Sequence, residues 1–130
     1  RVGRCAASLA LGVPVLGICL GMQFMAEELG GSTHSGDYGG YADVTVEILD
    51  DEDPLIGSLA PETRVWASHA DEVDTVPEGF ARTARSDVCE VEAMSAPERG
   101  LYGVQWHPEV AHTAEGEAVF EAFREICESQ

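Results

Sequence analysis

The chain has 130 residues, 45% of them hydrophobic, which suffices for one domain around one core but not for two. Asp and Glu number 24 against seven Arg and no Lys, so the formal net charge is −17. That balance argues against nucleic-acid or anionic-membrane binding, which need basic patches, and no apolar run approaches the roughly 20 residues of a membrane span.

Charge of this size strains a compact fold by self-repulsion. One reading is an ordinary solvated surface. The other is adaptation to high salt, where screening shortens to a few ångströms, and the absence of Lys favours it. The opening Arg1-Val2-Gly3-Arg4 is not a secretory leader, and since the first residue is not Met the chain is expected to start inside a longer protein. Cys5, Cys19, Cys89 and Cys127 form no C-x-x-C pair and match no zinc or disulfide frame. They read as free thiols of a reducing, cytoplasmic compartment.

In chain order, Cys5–Leu11 is predicted helical, with Gly12 as its C-terminal cap. Val13–Ile18 is a short apolar strand of the kind buried on both faces of a parallel sheet. Gly17-Ile18-Cys19-Leu20-Gly21 is a turn, Met22–Leu29 a helix, and Gly30-Gly31 its stop. Ser32–Gly40, rich in Gly and polar residues, reads as a loop. Val44–Leu49 alternates as a half-exposed strand, Asp50–Asp53 is an acidic turn closed by Pro54, and Arg64–Ser68 is a strand running into Ser68-His69-Ala70-Asp71. Phe80–Arg85 and Glu90–Met94 form an antiparallel pair. Leu101–Gln105 is a buried strand leading into Trp106-His107-Pro108-Glu109, and Glu115–Glu128 is an amphipathic helix with Val119, Phe120, Phe123 and Ile126 on one face. Strand, tight turn and helix in this order imply an α/β fold in one domain, residues 1–130.

Cys19 lies between two glycines at a strand-to-helix junction, the G-x-C-x-G form of a nucleophile elbow. Flanking residues without Cβ let the backbone pass closely. The thiol then sits at a helix N-terminus, where the dipole favours thiolate, and the Leu20 N–H points where an oxyanion would form. The competing reading is a buried Cys at a strand end. His107 and Glu109 stand at the end of an apolar strand, where open α/β sheets place their sites. Pro108 keeps His107 extended, so the two side chains share one side of the backbone. Glu109 can therefore fix the tautomer of His107, and His107 can take the proton of Cys19 and return it to a leaving group. Taken singly, His107 could be a hydrogen-bonded core histidine and Glu109 a surface acid. His34 reads as a solvated loop residue. A metal cluster of His107, Glu109 and His112 is discounted for its spacing.

Val15-Leu16-Gly17-Ile18-Cys19-Leu20-Gly21-Met22-Gln23 and Gly103-Val104-Gln105-Trp106-His107-Pro108-Glu109 resemble, in order and spacing, the two signatures of class I (triad) glutamine amidotransferases. Val65-Trp66-Ala67-Ser68-His69-Ala70-Asp71-Glu72-Val73 resembles the W-x-S-H-x-D segment of GMP synthase glutaminase domains. The runs Tyr41–Leu49 and Tyr102–Thr113 are similar to the stand-alone glutaminase subunits of two-subunit archaeal GMP synthases. The resemblance covers nearly the whole chain. It implies a three-layer, flavodoxin-like fold, a mostly parallel open sheet with helices on both faces. It makes Cys19, His107 and Glu109 the catalytic residues. Gln23 and the Leu20 N–H become contacts to substrate glutamine, and Ser68 and His69 hold its α-carboxylate and α-amine largely through backbone. Outside the resemblance, Gln23 could be a helix-surface residue and Ser68 a strand-end cap; His69 and Asp71 could instead face a partner.

The same resemblance implies hydrolysis of L-glutamine through a γ-glutamyl thioester. Ammonia would pass to an ATP-pyrophosphatase (synthetase) subunit that converts XMP to GMP. No cofactor is expected in this chain, since no phosphate loop is present, and ATP and Mg²⁺ belong to that partner. The family's glycine-rich loop, source of a second oxyanion donor, precedes the first helix and has no counterpart in Arg1–Arg4. The domain is thus expected to lack its N-terminal strand and oxyanion loop. The alternatives are a glutaminase of anthranilate or carbamoyl-phosphate type, and a non-catalytic regulatory subunit, against which the intact Cys19, His107 and Glu109 speak.

Overall fold

The computed structural model describes residues 13–109 and 115–129, without the side chains of residues 36–42 and 68–70. The helix expected over Cys5–Leu11, its Gly12 cap and His112 lie outside the described residues.

β1 (Val15–Ile18) and β6 (Leu101–Val104) are short apolar strands paired in parallel, with Val15 opposite Leu101 and Ile18 opposite Val104. All four residues of β6 are buried, as a strand covered on both faces must be. Its side chains alternate between two cores. Leu101 joins Met22, Met25 and Ala26 of α1 (Leu20–Glu28), while Tyr102 and Val104 join Val119 of α2 (Gly116–Glu128), with Phe123 and Ile126 packed alongside. The two helices therefore cover opposite faces of the sheet. Phe120 departs from the predicted apolar stripe and is exposed. Gly103 lets α1 approach: a Cβ there would stand 2.5 Å from Met22 Cγ.

Between them lie β2 (Ser32–Ile48), β3 (Glu62–Thr75), β4 (Ala81–Arg85) and β5 (Ala93–Ala96), giving the order β1-β6-β5-β4-β2-β3. The α/β architecture is as expected, but the sheet is mixed. Among the described residues only β1–β6 is parallel, and every other pairing is antiparallel. The connections explain this. β5 reaches β6 through a single 3₁₀ turn, Pro97–Arg99, closed by Gly100 at φ 71°. Parallel neighbours need a crossover of about a dozen residues or more, which the short links from β4 to β5 and from β5 to β6 exclude and the long stretch between β1 and β6 allows.

The loop expected over Ser32–Gly40 is instead the first half of β2, and Ser68–Asp71 lies inside β3 rather than beyond its end. Composition misleads here because Gly and polar residues can occupy a strand where bulges absorb them. The β2–β3 register shifts between Ser35 and Tyr38 and again between Tyr38 and Tyr41, across the glycines. The acidic turn is structural. Buried Asp53 accepts the Leu55 and Ile56 N–H groups, each at 3.0 Å, and the Ser95 hydroxyl from β5. No helix among the described residues is long and apolar enough to cross a membrane.

Candidate active site

Cys19 ends β1 and begins α1, with φ 56° and ψ −107°. A non-glycine residue held at positive φ carries about 1–3 kcal/mol of strain and persists only where neighbours over-determine it. They do: the Cys19 N–H donates to Val104 O at 2.8 Å, and the Gln23 N–H donates to Cys19 O at 3.1 Å. The elbow's need for glycine is real at one flank only. A Cβ on Gly17 would meet Gly21 C and O and Met22 N at 2.8 Å, all backbone. Gly21 faces open space, so the expectation of crowding at both glycines holds for Gly17 alone.

Burial raises the Cys19 pKa above the ordinary thiol range, and the carboxylates of Glu109 and Asp71 add to it. A hydrogen bond from the Leu20 N–H works in the opposite direction and is outweighed. The helix-start geometry thus delivers the predicted donor but no resting thiolate, so the sulfur needs a base to take its proton. Cys89 is buried, donates its thiol to Val91 O at 3.3 Å and is pushed far up by burial, Glu92 and Glu72. Cys127 is exposed on α2.

His107 follows β6 through Gln105 and Trp106. Trp106 bridges Ala67 of β3, and the His107 N–H donates to Trp66 O at 2.9 Å, which pins the segment in extended form. His107 Nδ1 lies 2.8 Å from Glu109 Oε2. A carboxylate can only accept, so Nδ1 carries a proton, and Nε2 is the nitrogen that bears the lone pair whenever the ring is neutral. Pro108 sits against the start of α2, where a Cβ on Gly116 would fall 2.0 Å from Pro108 O.

Gln23 is buried rather than a surface residue of α1. Its Nε2 donates to Asp71 O at 2.8 Å and to Gln105 Oε1 at 3.2 Å. Gln105 is fully buried, and its Nε2 lies 3.3 Å from Asp71 O and 3.9 Å from Cys19 Sγ. In the sequence Gln105 is a polar residue closing an apolar strand within the second signature segment, and nothing there sets it beside Cys19. The backbone of Ser68 and His69 pairs with Tyr41 and Tyr38 in the β2–β3 ladder; their side chains lie outside the described set. Leu20 presents its side chain to solvent, 71% exposed. His34, expected in a solvated loop, sits on β2 with Nε2 3.0 Å from Glu72 and Nδ1 3.3 Å from Asp74. Among the described residues no group of three or more His, Cys, Asp or Glu is placed to hold a metal ion.

Residues 4–126 match the family described as Glutamine amidotransferase class-I. A glutamine-hydrolyzing GMP synthase subunit from Haloquadratum walsbyi is 71% identical over 98% of this chain and 70% of its own length. The protein of the same name from Haloarcula marismortui is 70% identical over 99% of this chain and 68% of its own. A crystal structure from Thermoplasma acidophilum, provisionally described as that of a GMP synthase subunit, superposes with a TM-score of 0.92 at 32% identity. The match covers 98% of this chain and 64% of that one. The chain thus spans about two thirds of the length of these relatives. With an elbow cysteine and a His–Glu pair at the ends of adjacent parallel strands, and relatives of this closeness, the chain belongs to the class I glutamine amidotransferases.

Proposed function

We propose that this chain hydrolyses L-glutamine to glutamate and ammonia as the glutaminase subunit of a two-subunit GMP synthase. The observation that carries the reading is Cys19, strained at the β1–α1 elbow, with the His107–Glu109 pair at the end of the strand beside it. Sγ attacks the γ-carboxamide carbon of glutamine while His107 Nε2 takes the thiol proton. The resulting oxyanion accepts the Leu20 N–H. As the C–N bond breaks, His107 returns the proton and ammonia leaves. The γ-glutamyl thioester is then attacked by water, deprotonated by His107, and glutamate departs as Sγ regains a proton. Glu109 holds the imidazole and stabilises its cation. Both N–H groups of Gln23 are engaged internally, so what it offers the substrate amide is its carbonyl oxygen. The backbone of Ser68 and His69 would hold the α-carboxylate and α-amine.

The names of the relatives support the acceptor. Ammonia would pass to a synthetase chain that binds ATP and Mg²⁺ and aminates XMP. A cytoplasmic, high-salt setting fits the free thiols, the charge of −17 and the absence of Lys. The test is glutamate release in molar salt, with and without the synthetase chain, ATP and XMP. Turnover that rises with the partner and its nucleotides and falls about 10⁴-fold or more in Cys19→Ala is expected. Stimulation by a chorismate enzyme or a carbamoyl-phosphate synthetase chain instead would overturn the acceptor.

A further inference from the structure

Behind the nucleophile lies a set of linked amide hydrogen bonds. Asp71 O accepts from Gln23 Nε2 at 2.8 Å and from Gln105 Nε2 at 3.3 Å. Gln105 Oε1 accepts the second N–H of Gln23 at 3.2 Å. Gln105 Nε2 also donates toward Cys19 Sγ, 3.9 Å away. A backbone carbonyl can only accept, so Asp71 O fixes the polarity of both amides. Turning either amide over would set its oxygen against the Asp71 oxygen in a buried place, where such a repulsion is costly. The side that Gln105 shows the sulfur is therefore a donor.

We propose that Gln105 is a positioning residue for Cys19: its oriented N–H holds the sulfur by its lone pairs and offers the thiol proton no acceptor. The inference rests on Cys19 being the nucleophile. Its consequence is directional. A thiol facing the Gln105 oxygen would donate its proton there, away from the base. Facing the N–H, the proton is left for His107, and the N–H···S bond strengthens as negative charge grows on sulfur. The carboxylates acting on the sulfur, Glu109 beyond β6 and Asp71 on β3, both oppose that charge. Beside the Leu20 N–H, the Gln105 amide is a donor placed to offset them. Asp71 thus has opposite effects through two groups: its carboxylate disfavours the thiolate, and its carbonyl orients the amide that favours it.

The test begins with the unaltered chain, which has three glutamines and no asparagine. In a ¹⁵N–¹H spectrum of side-chain amides, one Gln105 proton should move downfield as pH rises, with the midpoint of Cys19 alkylation by iodoacetamide. The movement should vanish in Cys19→Ala. Next, Gln105→Glu replaces the donor with an acceptor of the same shape, and Gln105→Met removes it. The rate of Cys19 alkylation near neutral pH should fall about tenfold in Gln105→Glu, its midpoint moving up by about one unit, and less in Gln105→Met. In Gln105→Glu, which keeps an acceptor for Gln23, the kcat for glutamine should fall with it while KM stays within about twofold. A merely structural role would leave the alkylation midpoint where it was. An amide that does not respond to Cys19, or variants that alkylate with the unaltered profile, would overturn the proposal. Failure of Cys19 to react with an electrophilic glutamine analogue in the unaltered chain is a separate outcome, and it would overturn the glutaminase reading itself.

Discussion

Replacing Gly17 with Ala tests the elbow through its backbone. The new Cβ would stand 2.8 Å from three backbone atoms of Gly21 and Met22, against about 3.4 Å for an ordinary close contact. No flexible side chain lies in the way, so the start of α1 itself must retreat by roughly half an ångström. Overpacking of this kind costs about 1–3 kcal/mol. The same retreat carries the Leu20 N–H and Cys19 away from Val104 and the His107–Glu109 pair, and misplacement on the order of 1 Å costs about 10²-fold in rate. Gly21→Ala is the control. Its Cβ enters open space on a helix, where Ala is favoured over Gly by about 0.5–1 kcal/mol. Thermal unfolding and glutamine turnover, measured on both, should therefore separate. Gly17→Ala should melt several degrees lower and turn over about a hundredfold more slowly, while Gly21→Ala melts no lower than the unaltered chain. Equal damage from both, or none from Gly17→Ala, would refute the steric reason this elbow needs its glycine.

Glu109→Gln removes a charge that raises the Cys19 pKa, so alkylation of Cys19 should set in at lower pH than in the unaltered chain. Glutamine turnover should move the other way, falling by about 10²–10⁴-fold as the imidazole loses its orienting acid, and a parallel rise of both would contradict the assignment. Asp53→Ala strips acceptors from two buried N–H groups and the Ser95 hydroxyl; about 3 kcal/mol of stability should go, read by denaturant midpoint, with m unchanged. The formal charge of −17 implies that raising KCl from about 0.1 to 1 M, which shortens screening from about 10 to 3 Å, raises Tm. A Tm independent of salt would show that the acidic surface exerts no net strain.

What could be read from the sequence follows the physics of each signal. β6 stands out because a strand buried on both faces is written as a continuous apolar run; β1 carries the same apolar signal but is only partly buried, with Val13 before it exposed; α1 and α2 stand out because glycines and periodicity bound them. The Cys19 elbow and the His107-Pro108-Glu109 segment are legible because each is local, and a two-residue spacing on an extended chain already places both side chains together. The length of β2 and β3 is not legible. Gly36, Gly39 and Gly40 argue against a strand unless a partner is known, and only the pairing with β3 reveals the register shifts that hold them. The amide cluster is illegible for a related reason. Gln23, Asp71 and Gln105 are 34 to 82 positions apart, and nothing in their identities says that one carbonyl orders them. The resting state of Cys19 also needed the fold, since burial and two remote carboxylates decide it against the helix start.

Everything proposed for the site turns on Cys19, alone among the thiols, forming a bond with the substrate carbon. Peptide mass spectrometry after reaction with an electrophilic glutamine analogue in molar salt, with and without excess L-glutamine, reads that bond itself. One adduct is expected, on the peptide containing Cys19, suppressed by glutamine and absent in Cys19→Ala. An adduct on Cys89 or Cys127 that glutamine suppresses, or a Cys19 adduct indifferent to glutamine, would contradict the assignment of the nucleophile.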